Sequence, residues 1–448
     1  MTKSLHDAVS GVVAERQIAQ EFCIHRYCGR RIRSRSGWCV GVLLLILAGP
    51  GSAESPRFWL TARSSTGFTV PVAPGISYSR YRVITPHGPL SIHHLSLNLS
   101  IPSVRLGVGL AHNHLISEDE TVSSMVRRSG AVAGVNGDFF DVGNSGIPLN
   151  IVVQDGQLLR SPTGRAALAI GKDGSARIER YKWNGSILLP AANVTYWIAG
   201  FNSGLAPDGV VVLSNVRGYG APIPNRGVHQ TVVELLPVEE PRRTLVKALT
   251  AQRALPSPGE WTRYTVKQIW QQQAYYAPFP KGVILLVGRG RAAEWFTRNI
   301  TAGIPIHVKL ATSPDWRSLH GAIGGGPVLV QDGRAIDDPH SPVPHERNHR
   351  NPVLAVGISR DSHTMLVVGV DGRQPLRSIG LTQPQLAAYM QRHGAYHAMA
   401  FDSGGSVTMV ARLAGHSTPT VLNSPSDGQE RPVANALLVF SRPGKFRQ

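Results

Sequence analysis

The sequence is poor in most of the signals that announce a function on their own. Its 448 residues include only three cysteines, Cys23, Cys28 and Cys39, all close to the N-terminus. Past Cys39 there can be no disulfide framework, thiolate metal site or cysteine nucleophile. Aromatic residues make up 7% and do not interleave with basic ones in a stripe, which argues against a nucleic-acid platform. Acids are also scarce: 28 Asp and Glu stand against 46 Lys and Arg, a formal net charge of +18. That excess favours anionic partners such as phosphate-bearing glycans or membrane surfaces. Long apolar runs are missing too. Trp38–Ala48 is a compact one, too short for a comfortable bilayer span, and no later segment is longer.

What is present at the start has the order of a signal peptide. Arg30, Arg31, Arg33 and Arg35 precede the apolar run, and the small residues Gly51-Ser52-Ala53 follow it. Residues 1–53 are therefore expected to be a targeting segment. The mature chain is expected to be exported (periplasmic, cell-surface or extracellular), free of disulfides and without a stable membrane span after cleavage. Next come an extended lead-in over 54–75, one large domain over 76–440 with a less regular middle section at 181–310, and a tail at 441–448. Abundant glycine and proline favour strands and turns over long helices. The fold class is α+β, with mixed and antiparallel sheets and few short helices.

Strands are expected at Ile76–Val83, Leu90–Leu99, Val104–Ala111 and Ala131–Val135, with hairpins turning at Asp155-Gly156 and Asp173-Gly174. In the middle section Val210–Leu213, Thr231–Leu236, Val283–Val287 and Ile306–Leu310 read as strands and Ala292–Arg298 as a helix, with surface loops at Pro237–Arg243 and Gln271-Gln272-Gln273. Other short helices are expected at Thr121–Arg128 and Gln385–His393, the latter with Pro384 in its first turn and Gly394 at its end. Leu437–Phe440 reads as the closing strand. An internal echo joins Ile151–Gly156 to Pro327–Gly333 and Ala167–Gly171 to Val353–Gly357, which raises a pseudo-repeat within one domain.

Four polar or glycine-rich corners each end an apolar strand: Asn136–Phe140, Gly324-Gly325-Gly326-Pro327, Asp371-Gly372-Arg373 and Asp402-Ser403-Gly404-Gly405-Ser406. Loops at strand ends carry function because a rigid sheet positions them. Together these corners hold carboxylates, an arginine, an asparagine and paired aromatics. Asp402 is the centre of this reading, because the glycines beside it leave backbone N–H groups uncovered. Its bland alternative is an aspartate that bonds its own turn.

In order, NGDFF, IGGGPVLVQDG, VDGR, a helix, FDSGGS and Asn423-x-Pro425-Ser426-Asp427-Gly428 resemble the phosphodiester glycosidases, relatives of the lysosomal uncovering enzyme, from about Ile76 to Phe440. The resemblance implies hydrolysis of a sugar-1-phosphodiester of the N-acetylglucosamine type at the C1–O bond, giving free sugar and a phosphomonoester. It implies Asp402 and Asp371 as catalytic residues. Asn136, Asp138, Phe139, Phe140, Gly325, Gly326, Arg373, Gly404, Gly405 and Ser406 then contact substrate, a phosphorylated glycan or sugar-phosphate conjugate. Two positions depart from the family pattern. Ser403 replaces a glycine, and Val353-Leu354 stands where an Arg-Thr pair is expected; if that arginine contacts phosphate, either Arg350 or Arg347 substitutes for it or the substrate differs.

The chemistry fits these residue types. A phosphomonoester leaves more easily than an alkoxide, its second pKa being about 6, so cations and N–H donors matter more than a strong acid. Arg373 can grip phosphate bidentately, and glycine-flanked N–H groups can form an anion nest. One of Asp402 and Asp371 then attacks C1 or activates water, and the other holds sugar hydroxyls. Arg431 can bind phosphate or pair with Asp427. His340, His345 and His349 near Glu346 lack a recognised ligand spacing, so no metal site is assigned. The reaction requires no cofactor, though a divalent cation is compatible with it. The competing reading is an exported, non-catalytic protein that binds anionic glycans.

Overall fold

Period-two alternation builds the centre of the molecule. In Ile76–Thr85, Gly88–Asn98, Thr364–Val370, Val353–Ile358 and His397–Ala400, successive side chains point to opposite faces of one sheet. Ile76, Tyr78, Leu95, Leu97, Met365, Val367, Leu354, Val356 and Met399 enter the main core. Ile92, Val368, Val370, Val353, Ala355 and Ala398 face the other way, packed with Leu386, Ala387 and Met390 of the helix Gln383–Arg392. The sheet has eight strands and ends at Ser64–Ala73 on one edge and Val328–Gln331 with Arg334–Ala335 on the other.

The structure, a computed structural model, describes residues 64–217, 229–238, 259–271 and 283–441. The targeting segment at 1–53 with its three cysteines lies outside the described residues. So do Gln272-Gln273, residues 239–243 of the expected Pro237–Arg243 loop, and the tail after Ser441. The described residues fall within one compact unit.

Two five-stranded sheets accompany the eight-stranded one. One runs Thr420–Val421, Met409–Ala411, Ala133–Asn136, Asn435–Ser441, Val104–Leu110. The other runs Gln157–Arg160, Val152–Gln154, Leu319–Gly324, Ala166–Gly171, Ala176–Arg180.

The middle section corrects the expectation of irregularity. Gly185–Leu189, Val194–Phe201, Val210–Ser214, Ile284–Arg289, Gln230–Pro237, Thr262–Gln271 and Pro305–Lys309 close into a seven-stranded barrel. Ile187, Ile198, Val212, Leu235, Tyr264, Leu286 and Val308 belong to the core cluster it encloses. One pair, Val194–Phe201 with Val210–Ser214, is parallel, which makes the sheet mixed. Three of the strands escape sequence reading because their outward residues, such as Thr195, Trp197 and Arg263, break the apolar runs. Closure hides their ladder edges and is a tertiary property.

The fold class needs a similar correction. The protein is mostly β, and the described residues hold three α-helices, Val122–Ser129, Arg291–Asn299 and Gln383–Arg392, none longer than ten residues. The last has a full capping box between Thr382 and Gln385, with proline in its first turn. The lead-in at 54–75 contains a ten-residue strand, Ser64–Ala73, paired with Ile76–Thr85. The echoed hairpins lie in different sheets. Their likeness includes the turn itself, where Asp155-Gly156 and Asp332-Gly333 all hold positive φ.

Candidate functional site

Two strands distant in sequence end side by side. Ala133–Asn136 runs into Gly137-Asp138-Phe139-Phe140, and His397–Ala400 runs into Phe401-Asp402. The Asp402 N–H donates to the Gly137 carbonyl at 2.9 Å. Asn136 Nδ2 donates to the Asp402 carbonyl at 2.9 Å, while its Oδ1 accepts from the Thr408 N–H at 3.0 Å. Asn136, expected to touch substrate, is thus fully buried and acts as a clamp. It joins the two turns and leaves nothing to offer a ligand.

Asp138 lies beneath the same junction. Its N–H donates to Asn435 Oδ1 at 2.9 Å, and its Oδ2 accepts from the Asn150 N–H at 2.7 Å. Its Oδ1 has no hydrogen bond and faces Arg165 Nη2 at 3.4 Å. Burial pushes the Asp138 carboxyl above the usual range, against the pull of Arg165 and Arg160. Asp402 is enclosed by protein yet keeps part of its surface open. Burial first, and the nearby Asp138 charge second, push its pKa up to about 7, against hydrogen bonds from Ser406 and the Ser403 N–H and the charge of Arg431. The Ser403 bond, 2.9 Å to Oδ1, is the turn contact of the bland reading. It coexists with the coupling of two carboxylates, which a self-contained turn does not need.

The glycines divide by role. Gly404 (φ +66°) lies under the Arg373 guanidinium, where an added Cβ would come within 3.1 Å of Nη2. At Gly405 a Cβ would run into Arg431 Nη2 and Asp427 Oδ2, so that ion pair covers the loop directly. Gly325 and Gly326 were expected to contact substrate, and Gly326 lines the cleft described below. Their N–H groups donate to the carbonyls of Ala166 (3.0 Å) and Ala400 (2.8 Å), so these glycines allow strand crossing.

Arg373 is exposed, with φ +58°. Its Nε and Nη2 donate to Asn351 Oδ1 at 3.2 and 3.1 Å, and Asn351 Nδ2 donates to Glu346 Oε2 at 3.2 Å. Arg431 pairs with Asp427 and reaches Ser406 Oγ at 3.5 Å. A cleft opens beside Ser403, lined among others by Phe139, Phe401, Pro327, Glu346 and His349. The Arg165 guanidinium stands 5.8 Å from the Phe139 ring centroid. Phe140 packs into the core against the Val122–Ser129 helix. The three histidines do not gather: His340 pairs with Asp338, His345 faces Glu346 at 3.9 Å, and His349 lines the cleft.

Asp371 takes a place different from the expected one. Its side chain is fully buried, 3.2 Å from His93 Nε2, and accepts the Ser424 N–H at 2.9 Å. Those bonds hold its carboxyl below the usual range although burial alone would raise it. Arg377 stands 3.7 Å away. Asp371 therefore anchors the loop that carries Asp427 and offers no surface to substrate. Arg347 pairs with Asp337, and Arg350 donates to the Gly380 carbonyl and Gln385 Oε1, so neither replaces the missing family arginine. Val353 and Leu354, in its place, line the cleft. Arg165, Asn150 and Asn435 enter the site without any sequence motif. A cation at the start of a buried strand, as Arg165 is to Ala166–Gly171, was the only available cue.

Asp402 and Asp138 thus meet where two strands end, with Arg165 against one carboxyl and Arg431 within electrostatic range of the other. The phosphodiester glycosidase profile matches residues 129–229 and 273–440, more than half of the sequence, and the chain belongs to that family. No curated protein matches it in sequence. Among solved structures, a hypothetical protein from Synechocystis is 18% identical over 85% of this chain, which spans 64% of that one, with a TM-score of 0.65. A putative exported protein from Burkholderia pseudomallei is 19% identical over 84% of this chain and 96% of its own, with a TM-score of 0.64. These two share the fold. The zebrafish N-acetylglucosamine-1-phosphodiester alpha-N-acetylglucosaminidase catalytic domain, auto-inhibited by its pro-peptide, is 14% identical over 85% of this chain and 89% of its own; its TM-score of 0.40 supports no comparison of detail.

Proposed function

We propose that the protein hydrolyses the C1–O bond of a sugar-1-phosphodiester, releasing free sugar and a phosphomonoester. One observation carries this reading: Asp402 and Asp138 are brought together by the 2.9 Å bond between Asp402 N–H and Gly137, and Asp402 is tuned to about 7 at the open end of the pair. A carboxylate so tuned can hold or release a proton at working pH.

In its ionised form Asp402 attacks C1, or takes a proton from the water that does. The electron pair of the C1–O bond leaves with the phosphate oxygen. A phosphomonoester carries that charge without protonation, its second pKa being about 6. No strong acid is needed for that departure. Asp138, closed off by Asn150 and Arg165, does not meet the substrate and adds to the upward push on the Asp402 pKa. Arginines stand on both sides of the pair: Arg373 and Arg431 on the Gly404–Ser406 side, Arg165 and Arg160 on the Asp138 side. The polar cleft wall of Glu346, His349 and Ser403 beside Phe139 suits a sugar ring. In this reading the substrate is a phosphorylated glycan or sugar-phosphate conjugate of the N-acetylglucosamine-1-phosphodiester type, and residues 1–53 export the chain to where such glycans lie.

A second reading, binding of anionic glycans without turnover, draws on apolar Val353 and Leu354 in the cleft. The experiment is incubation of wild type and Asp402→Asn with sugar-1-phosphodiesters, followed by product identification. Free sugar from wild type alone supports hydrolysis at C1. Sugar-1-phosphate would mean P–O cleavage, and no product from any substrate would favour the binding protein.

A further inference from the structure

We propose that Arg160, Arg165 and Arg217 form an oxyanion subsite beside Asp138 that takes a phosphate group. The site stands on its own geometry, and only the identity of its anion rests on the glycosidase reading.

Three arginines from separate elements are drawn together by asparagines. Asn150 donates its N–H to Asp138 and its Nδ2 to the carbonyls of Arg165 and Ala166, which fixes the turn bearing Arg165 beside Asp138. Asn202 accepts Arg160 Nη1 on its carbonyl at 3.2 Å. Through its side chain Asn202 bonds Ser214 in both directions, 3.0 and 2.8 Å, and Ser214 leads directly into the 3-10 turn Asn215–Arg217. Arg160 accordingly lies within electrostatic range of Asp138, Asp141, Arg165 and Arg217.

These guanidiniums are unsatisfied in a way that Arg373 and Arg431 are not. Arg160 is 5% exposed, and its Nε has no hydrogen-bond partner. Arg217 Nε and Nη1 and Arg165 Nη1 and Nη2 are likewise buried without one. Buried N–H donors left without acceptors are unfavourable and rare. Guanidinium does not escape by losing its proton, although burial pulls Arg160 and Arg217 down to about 10. The carboxylates at hand do not satisfy them. Asp138 gives one oxygen to Asn150 and has an ion pair without a hydrogen bond on the other. Asp141 Oδ2 accepts from Asn144 and Ser145. Arg160 thus has two further guanidiniums, and only the Asp138 and Asp141 carboxyls to offset them, within electrostatic range. A phosphodiester brings one negative charge, and its oxygens match the planar fork of guanidinium donors. Arg165 and Arg217, only partly buried, leave the way in.

The test is inorganic phosphate titrated into the whole protein by calorimetry, with thermal stability as a second readout. Wild type is expected to bind one phosphate and be stabilised by it. Arg160→Gln and Arg217→Gln are expected to weaken phosphate binding about tenfold or more, and Arg217→Gln, without phosphate, to melt no lower than wild type, since it removes a cation with two buried unpartnered N–H groups. Arg217→Lys should recover part of the affinity. Phosphate binding that survives both Gln variants, that is lost in Arg373→Gln instead, or that is absent from wild type would overturn the proposal. Turnover separates it from the glycosidase reading. Sugar release with KM unchanged in Arg217→Gln sinks the subsite and keeps the glycosidase. Phosphate binding at the cluster with no sugar release from any sugar-1-phosphodiester keeps the anion site and sinks the glycosidase.

Discussion

Asp371 and Asp402 both follow strands of the eight-stranded sheet, and each is followed at once by a tight turn. Around Asp371 the polar partners are complete: His93, the Ser424 N–H and the more distant Arg377 leave its side chain no exposure. Around Asp402 they are incomplete, and a second carboxylate adds to the burial. One acid is therefore held below the ordinary range and the other pushed up to about 7. A strand-end aspartate becomes reactive through what its neighbours fail to neutralise.

The sharpest way to break this comparison is to remove each charge. Asp402→Asn should lower kcat by roughly a thousandfold, within the range of a lost acid–base group, while the protein folds normally. Stability should move the other way. Because the folded pKa lies above the unfolded one, the folded state keeps its proton longer as pH rises from about 4, and stability is lost through about 7. Asp402→Asn should therefore raise Tm at pH 8 and change it little at pH 4. A lower Tm at pH 8 would contradict the unfavourable burial of that charge. In wild type the same ionisation predicts that kcat/KM falls as pH drops below about 7, measurable as a single acid limb.

Asp371→Ala should instead cost about 3–5 kcal/mol in denaturant melts, the usual loss when one partner of a buried pair is removed. Its depressed pKa means that the stabilisation is present above the unfolded value of 3.8 and disappears as pH falls through the lower folded value. If Asp371→Ala melted like wild type and lost only kcat, the two acids would have to exchange roles.

Asn136→Ala should cost about 2–4 kcal/mol, since it leaves the Asp402 carbonyl and the Thr408 N–H without partners. Any activity that survives should keep its KM. The smallest expected effect is Arg373→Gln: stability within about 0.5 kcal/mol, as for an exposed side chain, and a KM rise of a few-fold if it lines the mouth of the cleft. A kcat loss as large as that of Asp402→Asn would move the centre of the site to the Gly404 side.

The helix Gln383–Arg392 was legible because its capping residues, apolar spacing and terminal Gly394 are all local. The strand ends at Asn136 and Asp402 were legible for the same reason: short apolar runs stop at small residues. The barrel was not, because Val194–Phe201 and Thr262–Gln271 carry exposed residues through their length and gain regularity only by pairing with distant strands. Gly325 and Gly404 read alike in sequence, yet one makes room for the Ala400 backbone and the other for an arginine.

By itself, the sequence determined the kinds of group at each corner, the strand rhythm that delivers them and the family to which the chain belongs. Tertiary structure alone decided that Asp138, not Asp371, stands with Asp402, and that Arg165 joins them from a turn without a motif. The reason is physical: a carboxylate's ionisation depends on the charges and donors within a few ångströms, and those come from strands hundreds of residues apart.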